Sequence, residues 1–188
     1  MHPKRLIVLV NLLLLLFIVW LMLSATQTAD IVSELRDRSG RWASYLLLAT
    51  LLFTPITHYR PSLRRYLPLR RHLGLWAFAL LMIHLLVWIV LEFAFDWLLM
   101  WQEIDSNLFI WLGLLSSLLL LPLAFTSSHW AMRKLGYRKW QGWHSLTYLA
   151  VPLALGHYFM AQKVIEIEPL ILLIVVVLVL VWRFKYAR

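Results

Sequence analysis

Six apolar runs, at residues 6–23, 42–57, 73–95, 108–125, 140–161 and 169–182, are separated by short polar connectors. A hydrocarbon core about 30 Å thick takes roughly 20 helical residues to cross. In lipid, every backbone N–H and C=O must be paired internally, which a helix achieves within one segment. The expected fold is an all-α integral membrane protein, a six-transmembrane-helix bundle in which residues 1–188 form a single domain. Hydrophobic residues make up 62% of the chain and charged ones 14%, against roughly 45–50% and 25% in a soluble domain. No room remains for a soluble catalytic domain. The rival for the first run is a cleaved signal peptide, with small residues at Ala25 and Ala29. That run is longer than the roughly 7–15 residues of a signal core. Residues 96–107, DWLLMWQEIDSN, are too acidic to span but suit a helix lying in the interface.

The charges orient the bundle. With a cytoplasmic N-terminus, alternate connectors place fourteen of the eighteen Lys and Arg residues inside, leaving Arg36, Arg38, Arg41 and Lys163 outside. The nine acidic residues all fall on or at the edge of the outer side. This is the positive-inside pattern, and it places both termini in the cytoplasm. The net charge of +9 is thereby explained by topology and lipid headgroups, not by nucleic acid.

Within the spans, three histidines stand out. His144 and His157 lie in the run 140–161, thirteen residues apart or ~20 Å of axis, and His84 lies deep in the run 73–95. Ionisable side chains inside a span are costly and point to function, and a neutral imidazole is a natural axial ligand of haem iron. The plain alternative is that each histidine hydrogen-bonds a neighbouring helix. His144 and His157 sit ~140° apart around an ideal helix, and Pro152 between them is expected to bend it. Counted from the inner basic boundaries, His84 lies ~20 Å deep, His157 ~27 Å and His144 ~8 Å. Depth therefore pairs His84 with His157 on an outer haem. It leaves His144 near the inner face, with His72 or no protein ligand opposite. Arg70 suits a haem propionate or a phosphate better than iron, because guanidinium stays protonated. His2, His58 and His129 read as solvated or interfacial. The basic loops that hold Arg64, Arg65, Arg70, Arg71, Arg133, Lys134, Arg138 and Lys139 also offer a seat for a flavin phosphate or an acidic reductase. Trp76, Trp88 and Trp111 lie deeper than the interfacial tryptophans and are candidates to pack on a macrocycle.

The chain has no cysteine, which excludes iron–sulfur ligation, thiolate-ligated haem and covalent C-x-x-C-H attachment. No G-x-G-x-x-G or Walker loop is present, so neither a nicotinamide dinucleotide nor a nucleoside triphosphate has an obvious seat. No internal repeat is evident on this reading.

The segments RRHLGLWAFALLMIH and AFTSSHWAMRKLGYRKWQGWHSLTYLAVPLALGHY, together with RWASY and TPITHY, cover residues 40–163. They resemble the MsrQ (formerly YedZ) membrane subunits of bacterial methionine sulfoxide reductase systems, within the ferric-reductase-like transmembrane family. The resemblance implies haem b, one or two per chain, and FMN. It also implies electron transfer from the quinone pool or a cytosolic flavin reductase, across the bacterial inner membrane, to the periplasmic molybdopterin enzyme MsrP. MsrP, not the membrane subunit, would reduce methionine sulfoxide in periplasmic proteins. The family's histidines fall on His84, His144 and His157. Fourteen residues before His84, where the wider superfamily has a second histidine, this chain has Arg70, with Arg71 and His72 beside it; a ligand role does not carry over to His72. The alternatives are a ferric or quinone reductase acting on a small acceptor, and a transporter or scaffold whose histidines relay protons or pack helices.

Overall fold

A computed structural model describes residues 3–162 and 166–186; His2, Lys163 and Arg188 lie outside the described residues. Among the described residues all regular structure is helical. Four stretches among the described residues are long and apolar enough to cross a membrane: Arg5–Ala25, Pro61–Glu92, Leu108–Phe125 and Ile167–Tyr186. The chain divides into two compact units, Met1–Trp101 and Gln102–Arg188.

The first unit holds α1 (Pro3–Ala25), α2 (Ile31–Tyr59), a 3-10 turn Pro61–Tyr66, α3 (Leu67–Leu86) and a π-helical turn Val87–Glu92. Helix α2 begins well before the apolar run 42–57. Asp30 caps it by accepting the Ser33 N–H, and Arg38 pairs with Glu34 one turn back. An apolar run marks only the part suited to lipid, and the helix continues through polar sequence because its backbone bonds and cap are satisfied there. Along α2 the buried Ser39, Ser44, Thr50 and Thr57 return their hydroxyls to carbonyls three or four residues back. Small, self-satisfied side chains of this kind let two helices approach closely in lipid. Helix α3 packs along α2, with Ile18, Ala43 and Leu80 at the centre and Phe17, Trp42 and Trp76 around them.

Past Glu92 the helix ends in a turn. Phe95 N–H reaches back to Ile89 O at 3.0 Å and Asp96 N–H to Phe93 O at 2.8 Å. Ala94 and Phe95 take φ of 48° and 64°, a left-handed conformation that costs a non-glycine residue about 1–2 kcal/mol. The division between the units falls next, within α4 (Trp97–Ser106). Helix α4 is the separate helix expected from residues 96–107, with Trp97, Leu98, Leu99 and Trp101 exposed.

The second unit holds α5 (Leu108–Phe125), α6 (His129–Leu135), α7 (Tyr137–His144), α8 (Thr147–Met160) and α9 (Ile167–Tyr186). The expected continuous helix 140–161 is broken, and His144 ends α7. The break stands at Ser145–Leu146, about two turns before Pro152, which lies inside α8. A proline ring presses on the carbonyl four residues earlier, here that of Tyr148. Upstream the backbone tightens into i→i+3 bonds, such as Tyr148 N–H to Ser145 O at 3.0 Å. Counting ~20 Å of straight axis from His144 to His157 is therefore not valid. The core of the unit is Ala150, Val151, Leu155 and Val176. Helix α8 is tied to α9 by Tyr158, which donates to Glu168 at 2.8 Å, and by Arg183, whose guanidinium lies 3.8 Å from the Tyr148 ring centre.

Candidate functional site

His84 sits on the face of α3 that meets α2. Its Nδ1 lies 2.9 Å from the backbone carbonyl of Arg36. A carbonyl only accepts, so Nδ1 carries the proton and Nε2 is the lone-pair nitrogen. A carbonyl bond of this kind is the usual device for fixing the tautomer and plane of a metal-binding imidazole. One turn along α2 stands Gly40; a Cβ built there would meet His84 Nδ1 at 2.9 Å. The absence of a side chain is what admits the ring.

Above this contact the Arg36 guanidinium pairs with Glu92 and Asp37. Burial of Arg36 opposes its charge, but the two carboxylates outweigh that and hold its pKa above the ordinary value. The π turn explains why Glu92 is within reach. In an α-helix, Glu92 would stand ~80° around the axis from His84. Bonds of the i→i+5 type wind less per residue, about 80–85°, and so return Glu92 to the side that faces α2.

The second unit repeats this arrangement. His157 on α8 places Nδ1 2.7 Å from the carbonyl of Phe109 on α5, and a Cβ built at Gly113 would meet that nitrogen at 2.8 Å. The correspondence is in register: Arg36, Gly40, Ala43, Ser44, Leu47, Ala77 and His84 become Phe109, Gly113, Ser116, Ser117, Leu120, Ala150 and His157, each 73 residues later. Ser44 and Ser117 both donate to the carbonyl of the preceding cradle glycine, at 3.0 and 2.8 Å. The expectation of no internal repeat is thus corrected. Little beyond G-x-x-[AS]-S-x-x-L, A-x6-H and scattered leucines is shared, too sparse a pattern to stand out before the contacts are known.

His144 is held differently. Its Nε2 lies 3.3 Å from Thr126 Oγ1, whose own proton goes to Pro122 O at 2.6 Å. The hydroxyl therefore accepts from Nε2–H, and Nδ1 is the lone-pair nitrogen, the opposite tautomer to the other two rings. Trp140 lies against the ring at 4.1 Å between centroids and donates to Thr126 O.

Arg70, Arg71 and His72 lie on α3, and Trp88 in the π turn that follows it. Arg70 donates to Thr54 Oγ1 at 3.3 Å, and Arg71 is half-buried with its Nε unpaired. His72 Nδ1 lies 3.1 Å from the Asn11 amide, whose oxygen accepts from Trp76 at 2.8 Å. Trp88 packs edge-on against Phe93. Asn11, Thr54 and Thr126 were not singled out by the sequence, although Asn11 is the one polar interruption of its apolar run.

Among the described residues no three His, Asp or Glu side chains converge as a bare metal ion would need. Each of the two imidazoles, its donor edge fixed by a carbonyl of its own unit, instead suits ligation of a haem iron. The residues therefore fit a b-type haem.

Residues 39–155 match the family model described as the ferric reductase like transmembrane component. The match takes in Gly40, His84, Gly113 and His144 and stops two residues short of His157. The chain is also similar to curated proteins named protein-methionine-sulfoxide reductase heme-binding subunit MsrQ. That of Pectobacterium carotovorum is 39% identical over 193 residues, covering 100% of this chain and 95% of the relative. That of Cronobacter sakazakii is 40% identical over 177 residues, covering 91% and 86%. That of Caulobacter vibrioides is 36% identical over 162 residues, covering 85% and 76%.

Proposed function

Because the chain belongs to the MsrQ heme-binding subunits and carries the ferric-reductase-like transmembrane component, we propose that it is a b-type cytochrome of the bacterial inner membrane. It carries electrons from the quinone pool or a cytosolic flavin reductase to the periplasmic molybdopterin enzyme MsrP, and so serves repair of methionine sulfoxide. It does not itself reduce the sulfoxide. Helices α2 and α8 join the four apolar stretches to make six spans, with both termini cytoplasmic.

The observation that carries the redox reading is the pair of carbonyl-held histidines, His84 on Arg36 O and His157 on Phe109 O. We assign these two as axial ligands on their matching tautomers and carbonyl bonds. His144, with the opposite tautomer, belongs to a separate inner position, where Arg70 stands in the register of the superfamily's missing histidine. Arg70, Arg71 and the basic loop before them are the proposed seat for haem propionate or flavin phosphate. His72 is bound up with Asn11 and Trp76 and receives no ligand role.

Haem, once bound, supplies a one-electron couple. The chain's residues supply the rest. The carbonyls orient each imidazole and hold its proton on Nδ1, which leaves Nε2 as the nitrogen that would face iron. Apolar helices keep water away, and burial and hydrogen bonding set the potential. The acids Glu103 and Asp105 of α4 are proposed to steer a basic patch of the periplasmic acceptor, chiefly through association rate.

A reduced-minus-oxidised absorption spectrum of the purified protein tests the reading. A b-type spectrum is expected. Protein purified intact from haem-replete cells but without such a spectrum would overturn it in favour of a scaffold.

A further inference from the structure

The two cradle glycines are the least explained part of the site, since neither takes a conformation that requires glycine. Their φ values are ordinary and both lie inside helices, where glycine costs about 1 kcal/mol relative to alanine. What each offers is clearance. At Gly40 an added Cβ would stand 2.9 Å from Nδ1 and 3.0 Å from Cε1 of His84; at Gly113 it would stand 2.8 Å from Nδ1 and 3.1 Å from Cε1 of His157. In both cases the intruding carbon lies beside the nitrogen that donates to the carbonyl one turn back. The other spanning glycines differ. A Cβ at Gly74 meets nothing nearer than Thr50 Cγ2 at 3.9 Å, and one at Gly156 meets Leu112 Cδ1 at 3.6 Å, ordinary contacts.

We infer that Gly40 and Gly113 are positioning residues, which set the plane and tautomer of the His84 and His157 imidazoles by letting each ring lie against the neighbouring helix within reach of its carbonyl. An added methyl group pushes the ring off that carbonyl and rotates it about its side-chain bonds, while the helix backbone stays in place. The ring is the movable end of its side chain, so the cost falls on the ring's orientation and its carbonyl hydrogen bond and not on the helix backbone. Two sites 73 residues apart carry the same glycine, the same carbonyl offset and the same close approach. Coincidental small-residue packing does not account for all three together.

The inference rests on the haem-ligand reading, and two measurements separate its failure from that one's. In the first, Gly40→Ala and Gly113→Ala are purified with haem and compared with Gly74→Ala and Gly156→Ala by electron paramagnetic resonance and redox titration. The cradle variants are expected to shift the largest g value of the low-spin ferric signal, or lose low-spin character, and to move the midpoint potential. The other two are expected to keep the wild-type signal. Wild-type g values and potential in both cradle variants would overturn the inference.

The second measurement is a thermal-unfolding cycle that needs no haem signal. Gly40→Ala should lower Tm when His84 is present and keep or raise it in a His84→Ala background, because the ring is what the methyl meets and alanine is otherwise the better helix residue. An equal lowering in both backgrounds means the glycine serves helix packing alone, and the inference falls. If His84→Ala keeps a full low-spin haem, the ligand reading fails while the cycle still decides the cradle.

Discussion

The pairs α2–α3 and α5–α8 hold a histidine by the same three elements, a carbonyl, a glycine one turn on, and a serine that returns its hydroxyl to that glycine. They differ in what surrounds the ring. Over His84 stands Arg36, half-buried and paired with Glu92 and Asp37. At the corresponding place beside His157 stands the ring of Phe109, 5.7 Å away between centroids. Where the first pair has the buried Ala43 and Ala77, the second has Ser116 donating across the helices to Ala150 O at 2.8 Å. What is common to the pairs is what orients an imidazole. What differs is what sets the electrostatic environment of whatever that imidazole binds, so one ligand geometry is set in two different fields.

The largest effect should come from removing the shared element. His84→Ala and His157→Ala should each abolish the low-spin haem signal in visible spectra, since one imidazole cannot keep the iron six-coordinate. His144→Ala should leave that signal in place, because its ring is held by a hydroxyl in the other tautomer. Equal loss in all three variants would erase the distinction between the cradles and the Thr126-held ring.

The next effect is confined to the first pair. Asn11→Leu strips a partner from both His72 and Trp76, and leaving buried polar groups unpaired costs about 1–3 kcal/mol each. A melt in detergent should show the loss, with the haem spectrum unchanged. A smaller step makes the second pair resemble the first: Ser116→Ala removes the one interhelical hydroxyl bond and should cost about 0.5–1.5 kcal/mol, read as a lower Tm. A wild-type Tm would mean that bond is no real difference between the pairs.

The smallest effect on stability is expected for Glu92→Gln, because the side chains of Arg36 and Glu92 are 28% and 32% exposed and such pairs contribute about 0–1 kcal/mol. Its value lies in sign. Removing a negative charge leaves Arg36 less compensated, which favours the reduced, less positive iron. The midpoint potential of the haem held by His84 should therefore rise, and rise less at high salt. A fall would show that the carboxylate acts by holding the backbone of Arg36 in place, not by its field.

Helicity and the apolar spans were legible because hydrophobic length is a coarse, additive signal. Residues 108–125 coincide with α5 at both ends, since Asn107 and Thr126 stop the apolar run and the helix together. For α2 those two stops separate, and composition sees only the lipid-facing one. Pro152 was expected to bend the helix; it lies inside α8, and the break stands upstream at Ser145–Leu146. The three histidines were found because an ionisable group in lipid is conspicuous. Their partners were not: two of the three are backbone carbonyls, which every residue has, and the glycines matter only through a distance. Tautomer, the property that separates His144 from the other two, resides in such contacts and leaves no trace in residue type.

The carbonyl bond to each histidine also bears on the order of assembly. It joins two helices of one compact unit, Arg36 to His84 and Phe109 to His157, and needs no other molecule. A newly inserted imidazole thus finds a partner for its N–H in lipid as soon as its own helix pair closes. Biogenesis can run from insertion to helix pairing to haem loading, without a haem-free chain exposing that donor to hydrocarbon. Limited haem supply would then leave a store of paired, loadable protein, where a chain that relied on iron to close its helices would go to quality-control proteolysis.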